Sequence, residues 1–352
     1  LILESSFMKR MRFFLNIATL TLCFLLVGSF TAFAGKTLKL SHLNKNDPFD
    51  NSTGAMATVF KNLVEAGTNG SIEVEIFPAG QLGKDAEVIQ QVKMGMIQSS
   101  ISSVGGTASV YPMIGILDMP FAFPNISTTY EVFDGEFGKK LAGDIQKTTG
   151  LKVLGFGDSG GFFAFTNSKR LVKTPKDMKG IKIRTMGLET HKTVVSAVGG
   201  QPIAVAWSEV YSALQTGVAD GQMNPIPIIK FANFDEVQKY LTLSNHLFAT
   251  YPWLINQKFY NSLTKEEQYV IDYAARSAIV AGRGISRIIE ASERGLPALA
   301  KKMEIYSPTK SELKQFRDLA QPAVKKYLDK RFGSKGKEML NAFLSAIKAA
   351  EK

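Results

Sequence analysis

The run Lys179-Gly-Ile-Lys-Ile-Arg-Thr185 ends close to the side chain best built to hold a carboxylate. Ile181 and Ile183 alternate with Lys182 and Arg184, a period of two that reads as a strand and sends Arg184 to its carboxyl end, where ligands of layered α/β folds are usually met. The planar guanidinium donates two parallel hydrogen bonds and stays charged when partly desolvated. An arginine at a strand end is, taken alone, more often half of a surface ion pair. A second run, from Trp207 to Pro225, reads as a helix capped near Ser208, with Val210, Ala213 and Leu214 inward and a stop at Gly217. Asp220-Gly221 and Asn224-Pro225 then predict turns. Trp207 by itself fits a core as well as a ligand wall.

Other chemistry is missing. The chain has no G-x-S-x-G, no H-E-x-x-H, no P-loop and no G-x-G-x-x-G opening a helix after a strand. His42, His191 and His246 are far apart and lack metal-ligand spacing. Each reads as a surface or packing histidine, with His42 at a strand end where clefts form. The single cysteine, Cys23, falls in the leader described below, which excludes thiol catalysis and cysteine metal sites from the mature protein. Neither an enzyme nor a cofactor is expected.

The elements that must position these residues alternate strand and helix. Lys36 to Ser41 predicts a strand, 51–66 a helix stopped by Gly67, and Ser71 to Phe77 a strand ended by Pro78. A helix from Ala86 to Met94, an apolar stretch at 97–104, one helix at 128–148 and a strand at 151–156 follow. The Gly157 to Gly161 run suits a hinge crossing or a turn near a ligand. A second α/β block follows to about Ala249, with a short strand at 251–255. Residues 264–303 read as overwhelmingly helical, long enough to bridge two lobes, with Gly282, Gly284, Gly295 and Pro297 as possible bends. An amphipathic helical tail runs from Ser311.

Lys9, Arg10 and Arg12 precede an apolar run from Phe13 to Phe30 that closes on Ala32-Phe33-Ala34, the pattern of a secretory signal cleaved after Ala34, with Met8 as the start. The expected compartment is the periplasm. Net charge is +11, of which the leader carries +2, leaving +9 spread along the mature chain. That balance suits an anionic ligand, and its lack of clustering gives nucleic-acid binding no support.

The chain resembles the solute-binding proteins of tripartite ATP-independent periplasmic (TRAP) transporters, the DctP-type family. The likeness is carried by Asp177-Met-Lys-Gly-Ile-Lys-Ile-Arg184 and by Trp207-x-Glu-Val-Tyr-x-Ala-Leu-Gln-x-Gly-Val-x-Asp-Gly-Gln-x-Asn-Pro225. Shorter pieces are Phe77 to Gly83, Pro120 to Phe123, Phe165 to Arg170 and Glu236 to Tyr240. The long motif argues against the binding proteins of ATP-driven importers. The resemblance implies a two-lobed α/β binding protein with a hinge, a central cleft and a long helix spanning both lobes. Residues 35–160 plus about 250–288 would form lobe I, and 161–249 plus about 289–352 lobe II. It further implies that Arg184 pairs with a ligand carboxylate, Asn224 hydrogen-bonds it, Trp207 walls the cleft, and His42, Asn44 and Ser103 are first-lobe candidates. The implied partners are a small organic acid anion and the membrane subunits of a transporter; monomer and dimer both stay open.

One departure bears on the ligand. Many relatives carry a second arginine just before Thr-Asn-Ser-Lys, whereas this chain reads Gly161-Phe-Phe-Ala-Phe165 and offers Phe163 or Ala164 there. The expectation is therefore a monocarboxylate with an apolar or aromatic body, walled by Trp207 and by Phe162, Phe163 or Phe165. Each phenylalanine is equally well read as core. A C4-dicarboxylate, a sugar acid, an exported enzyme and a sensory module are the alternatives.

Overall fold

The structure is a computed structural model that describes residues 35–351; the leader, Met8 and Cys23 lie outside the described residues. Ten strands form a mixed sheet: β1 Lys36–His42, β2 Ile72–Phe77, β3 Ser99–Ile101, β4 Leu151–Asn167, β5 Lys182–Thr185, β6 Gln201–Ala204, β7 Gly221–Pro225, β8 Tyr240–Thr242, β9 Phe248–Asn256 and β10 Glu304–Tyr306. The order is β2-β1-β3-β9-β4-β7-β5-β6, with β8 also on β4 and β10 on β8.

The 17-residue β4 ties the two ends of this sheet together. Its first half pairs antiparallel with β9, which continues through β3 to β1, and its second half pairs with β7, which continues to β5. The glycine-rich run does not leave the strand. Register shifts occur between Asp158 and Gly161, where Gly160 and Gly161 take φ of 128° and 99°, open to glycine and strained for other residues. Asp158 Oδ1 accepts both their backbone N–H groups at 2.6 Å, and Oδ2 accepts from Tyr130 Oη at 2.7 Å and Arg287 Nη2 at 3.1 Å. A fully buried carboxylate thus holds the strand where it changes partners.

Arg287 belongs to the helix Lys265–Ala291, opened by a reciprocal cap between Thr264 and Glu267. It passes through Gly282 and Gly284 without breaking. At Gly282 a Cβ would stand 2.6 Å from Met56 Cγ, so glycine lets this helix press on the helix Ser52–Gly67. The helical run ends at Ala291, short of the expected 303, and resumes briefly as Leu296–Ala300 behind Gly295. The stretch expected as one helix at 128–148 is two, Ile126–Asp134 and Glu136–Thr149, parted at the extended Gly135. The tail Lys310–Ala350 is two helices meeting at Gly333, φ 58°.

The largest core cluster packs Phe123, Phe133, Phe163, Phe165 and Phe248 with Phe343 and Leu340 of the tail. A second cluster, centred on Phe60 and Trp253 at 4.8 Å, lies under β1, and a third gathers Ala164, Val210, Ile229 and Phe234. Among the described residues no helix is long and apolar enough to cross a membrane, and no group of acidic, histidine or cysteine side chains could hold a metal ion.

Candidate functional site

The first wall of the site is built by sheet register. β5 and β7 run parallel with Arg184 level with Gln222, and β7 and β4 run antiparallel with Gln222 level with Thr166 and Asn224 level with Ala164. Paired residues share a face, and so do residues two apart. Arg184, Gln222, Asn224, Thr166 and Ala164 therefore lie on one face of the sheet. Asp220 fixes the pairing, since its Oδ2 accepts from Lys182 N at 2.9 Å. Asp220 lies in the bend that the first predicted turn anticipates, whereas Gly221 and the second predicted turn, Asn224-Pro225, belong to the strand β7. Its start rests on Gly221, where a Cβ would stand 2.2 Å from Thr166 O.

The amides on this face are locked. Gln222 Nε2 donates to Thr166 Oγ1 at 2.9 Å, Thr166 Oγ1 donates to Gln238 Oε1 at 2.8 Å, and Asn224 Nδ2 donates to Gln222 Oε1 at 2.6 Å. Asn224 Oδ1 and its second N–H have no partner among the described residues. Gln222 was visible in the sequence motif, two residues before Asn224, but was not singled out.

Arg184 is 4% exposed and spends two donors on one acceptor: Nε and Nη2 reach Val205 O at 2.9 and 2.8 Å. No acidic side chain among the described residues pairs with it. Burial alone lowers its pKa to about 10, so it stays charged near neutrality. A buried guanidinium held by a carbonyl and lacking a counter-ion is costly in isolation and favours an anion.

Val205 leads into a short 3₁₀ turn, Trp207–Glu209, ahead of the helix Val210–Gln215, so the turn starts before the predicted cap at Ser208. Trp207 is half-buried, stacked on Phe231 at 6.3 Å and edge-on to Phe234 at 5.9 Å. Beside it, Glu209 pairs with Lys84 at 2.6 Å, both exposed.

The second wall comes from the ends of β1 and β3. His42 closes β1, is 1% exposed, and among the described residues neither ring nitrogen has a partner within hydrogen-bond geometry. Burial lowers its pKa to about 4, only Asn46 favouring the charged form, so it is neutral at pH 7. Ser103 is half-buried and structural: its Oγ caps Gly106 N at 3.0 Å and donates to Asp85 Oδ2 at 2.5 Å. Burial pushes Asp85 up to about 6 despite these bonds. Asn44 Nδ2 reaches Tyr251 Oη at 3.2 Å, a tyrosine whose pKa burial raises. The walls meet where a Cβ on Gly105 would stand 2.7 Å from Met186 Cβ, two residues beyond Arg184. Nothing in the sequence pointed to Asp85 or Tyr251, because these contacts cross 18 and 207 residues.

The phenylalanines part company. Phe162 is half-buried and packs edge-on against Phe248 at 5.6 Å. Phe163 is 3% exposed between His191 and His246, at 5.7 and 6.0 Å, and Phe165 stacks on His246 at 4.1 Å. Strand alternation puts Phe163 on the face opposite Asn224, so the structure does not bring it to Arg184. Ala164, uncharged, is the residue beside Asn224.

Comparison with known proteins agrees with this frame. The family model for bacterial extracellular solute-binding protein, family 7 (DctP), matches residues 43–331. A solute-binding protein of Verminephrobacter eiseniae is 34% identical over 272 residues, 77% of this chain and 79% of its own. The sugar acid binding protein of Advenella mimigardefordensis, solved with galactonate, superposes with a TM-score of 0.82 at 30% identity, covering 90% of this chain and 99% of its own. A TRAP periplasmic solute-binding protein from Polaromonas, bound to D-erythronate, gives 0.80 at 30% identity over 88% and 98%. The strand carrying Arg184, the Trp207 turn and the Asn224 strand all fall within the matched span, and the chain belongs to the DctP family of TRAP-type solute-binding proteins.

Proposed function

We propose that this chain is exported through its leader, captures an organic acid outside the inner membrane and delivers it to the membrane subunits of a TRAP transporter. The carrying observation is Arg184, a charged side chain 4% exposed with a carbonyl and, among the described residues, no carboxylate as its partner. A ligand carboxylate supplies the missing charge, Asn224 adds a hydrogen bond, and the ligand body lies along Trp207. With Ala164 beside Asn224, no second cation is offered there, which fits a ligand with one carboxylate. The galactonate and D-erythronate bound by two relatives are acids of this kind.

Lobe I, residues 35–160 with about 250–288, and lobe II, 161–249 with about 289–352, close on the ligand, with β4 crossing between them at Asp158 to Gly161. Each lobe supplies part of the contacts, so only the closed state gains all of them and ligand shifts the population toward it. A thermal-shift panel of matched acids and neutral analogues tests the reading. Stabilisation by monocarboxylates and not by their amides supports it; stabilisation by neutral solutes alone overturns it, and a response to dicarboxylates alone overturns the single-carboxylate part.

A further inference from the structure

Positive charge that reads as spread along the sequence gathers on the folded chain. Residues 325–338 hold six cations and two acids, a net +4, and the helix Glu136–Thr149 holds three and two, a net +1. Together they carry +5 of the +9 of the mature chain. The two segments are neighbours. Lys335 reaches Asp144 at 2.7 Å and Lys140 reaches Glu338 at 2.7 Å, so two ion pairs staple the second tail helix to the helix Glu136–Thr149. Between them lies an open pocket of about 300 Å³, bounded by Met339 and lined by Lys140, Lys147 and Lys335.

Six of the cations, Lys147, Lys325, Lys326, Lys330, Arg331 and Lys337, are exposed and have no acidic partner among the described residues. They come from both sides of the break at Gly333, and the two staples hold them in one arrangement. Asp144 and Glu338, acids that could neutralise the patch, are already taken. Such a cluster repels itself and is relieved by an anionic surface. Its composition tells which surface. Protein interfaces are enriched in arginine and depleted of lysine, since they desolvate what they cover and reward a planar fork. Five of these six are lysines, compact charges that keep their water, which suits mobile headgroups better than a partner protein's carboxylates. None of the six belongs to the sheet face that carries Arg184.

We propose that this patch adsorbs the protein on anionic phospholipid headgroups, making the tail break and the helix Glu136–Thr149 a membrane-facing surface. A cluster of about four to eight lysines and arginines is drawn to such a surface over roughly a Debye length. Among the described residues no helix is long and apolar enough to cross a membrane, so the attraction is electrostatic, weak and reversible. An exported acid carrier held this way stays near the membrane subunits and still exchanges with the bulk.

Co-sedimentation with vesicles tests it, using phosphatidylcholine alone and phosphatidylcholine with about a third phosphatidylglycerol. At about 0.1 M salt the wild type is expected to pellet with the anionic vesicles and not with the neutral ones, and about 0.5 M salt to release it. Lys326→Glu with Lys330→Glu is expected to lower partitioning by about tenfold or more. The loop 169–182 carries a net +5 of its own, with Lys176 and Lys179 exposed, and serves as the control. Lys176→Glu with Lys179→Glu makes the same change in total charge and is expected to move partitioning by less than about threefold. Unchanged acid binding in calorimetry shows that both variants are folded. If the first does not fold, Lys326→Gln with Lys330→Gln reads the same loss at half the charge change. No binding to anionic vesicles, equal binding to neutral ones, or an equal loss from the two pairs overturns the proposal. So does release by inorganic phosphate at constant ionic strength, or tighter binding to oligoglutamate than to anionic vesicles. Arg184→Ala is expected to leave partitioning unchanged, so this surface and the acid clamp fail separately.

Discussion

Arg184 holds Val205 O with two donors, at 2.9 and 2.8 Å, and so ties the end of β5 to the segment that carries Trp207. One side chain therefore sets both the charge at the end of β5 and the position of the turn that carries Trp207. Truncating a buried, hydrogen-bonded charge partner costs about 2–5 kcal/mol of binding. Arg184→Lys is expected to weaken acid binding as well, by about tenfold or more, because a point charge cannot hold Val205 and a carboxylate as the fork does. An Arg184→Lys protein with wild-type affinity would show that charge alone is used.

Trp207 packs in the fold and is the proposed ligand wall, two roles that one substitution separates. Its ring packs on Phe231 and Phe234, so Trp207→Ala is expected to destabilise the fold by about 1–3 kcal/mol as well as to weaken binding. Trp207→Phe keeps most of the packing and should recover stability before affinity. Urea titration and calorimetry on the same preparations read the two effects independently.

Gly221 is expected to tolerate nothing larger. An added methyl would stand 2.8 Å from Asn167 Cβ and 2.2 Å from Thr166 O, a backbone atom that cannot yield without opening the β4–β7 ladder. Gly221→Ala should cost on the order of 2 kcal/mol or more and, by shifting Gln222 and Asn224, reduce binding in whatever fraction still folds. A neutral outcome in thermal unfolding would mean that the strand register differs from the one described.

His42 makes stability depend on pH in a stated direction. Burial lowers its pKa from 6.5 to about 4, so between these values the unfolded chain binds more protons than the folded one. Its contribution is complete above pH 6.5 and is lost as pH falls toward 4. His246, lowered to about 3 by burial and by His191, acts in the same sense. Asp85, raised to about 6, acts oppositely and loses its contribution as pH rises through 6. His42→Phe removes this titration and is expected to gain stability over the wild type at pH 5 relative to pH 8, by on the order of 2 kcal/mol. A pH-independent difference in urea unfolding would contradict this.

The Lys84–Glu209 pair joins the loop before the helix Asp85–Met94 to the Trp207 turn. Both side chains are exposed, so the pair is expected to matter little to folding and to be screened by salt. Lys84→Glu should lower ligand affinity by about a few-fold at low salt, and 0.5 M salt should erase the difference. A salt-insensitive loss would place Lys84 in a role other than this pair.

Local periodicity was enough to expose β5, the helix Ser52–Gly67 and the alternation of Ile183 with Arg184, because those patterns are set by neighbours in the chain. Arg184, Trp207 and Asn224, the proposed ligand contacts, stood out in the sequence because the motif that carries them is long. Asn224-Pro225 misled, since turn chemistry is a local preference and strand pairing with β4 overrides it. Phe163 misled for the same kind of reason: composition cannot tell which face of a strand a residue takes until the register with β7 is known. Tyr251 and Asp85 gave no signal, as their partners lie on other elements.

The central claim is that a buried arginine is the counter-ion of an organic acid. Calorimetric titration of a stabilising monocarboxylate into the wild-type protein and into Arg184→Ala, at matched pH and salt, addresses it most directly. The account predicts that the variant remains folded and that its affinity falls by at least about 30-fold, the lower bound for a truncated buried charge pair. Unchanged affinity in a folded Arg184→Ala protein would contradict it.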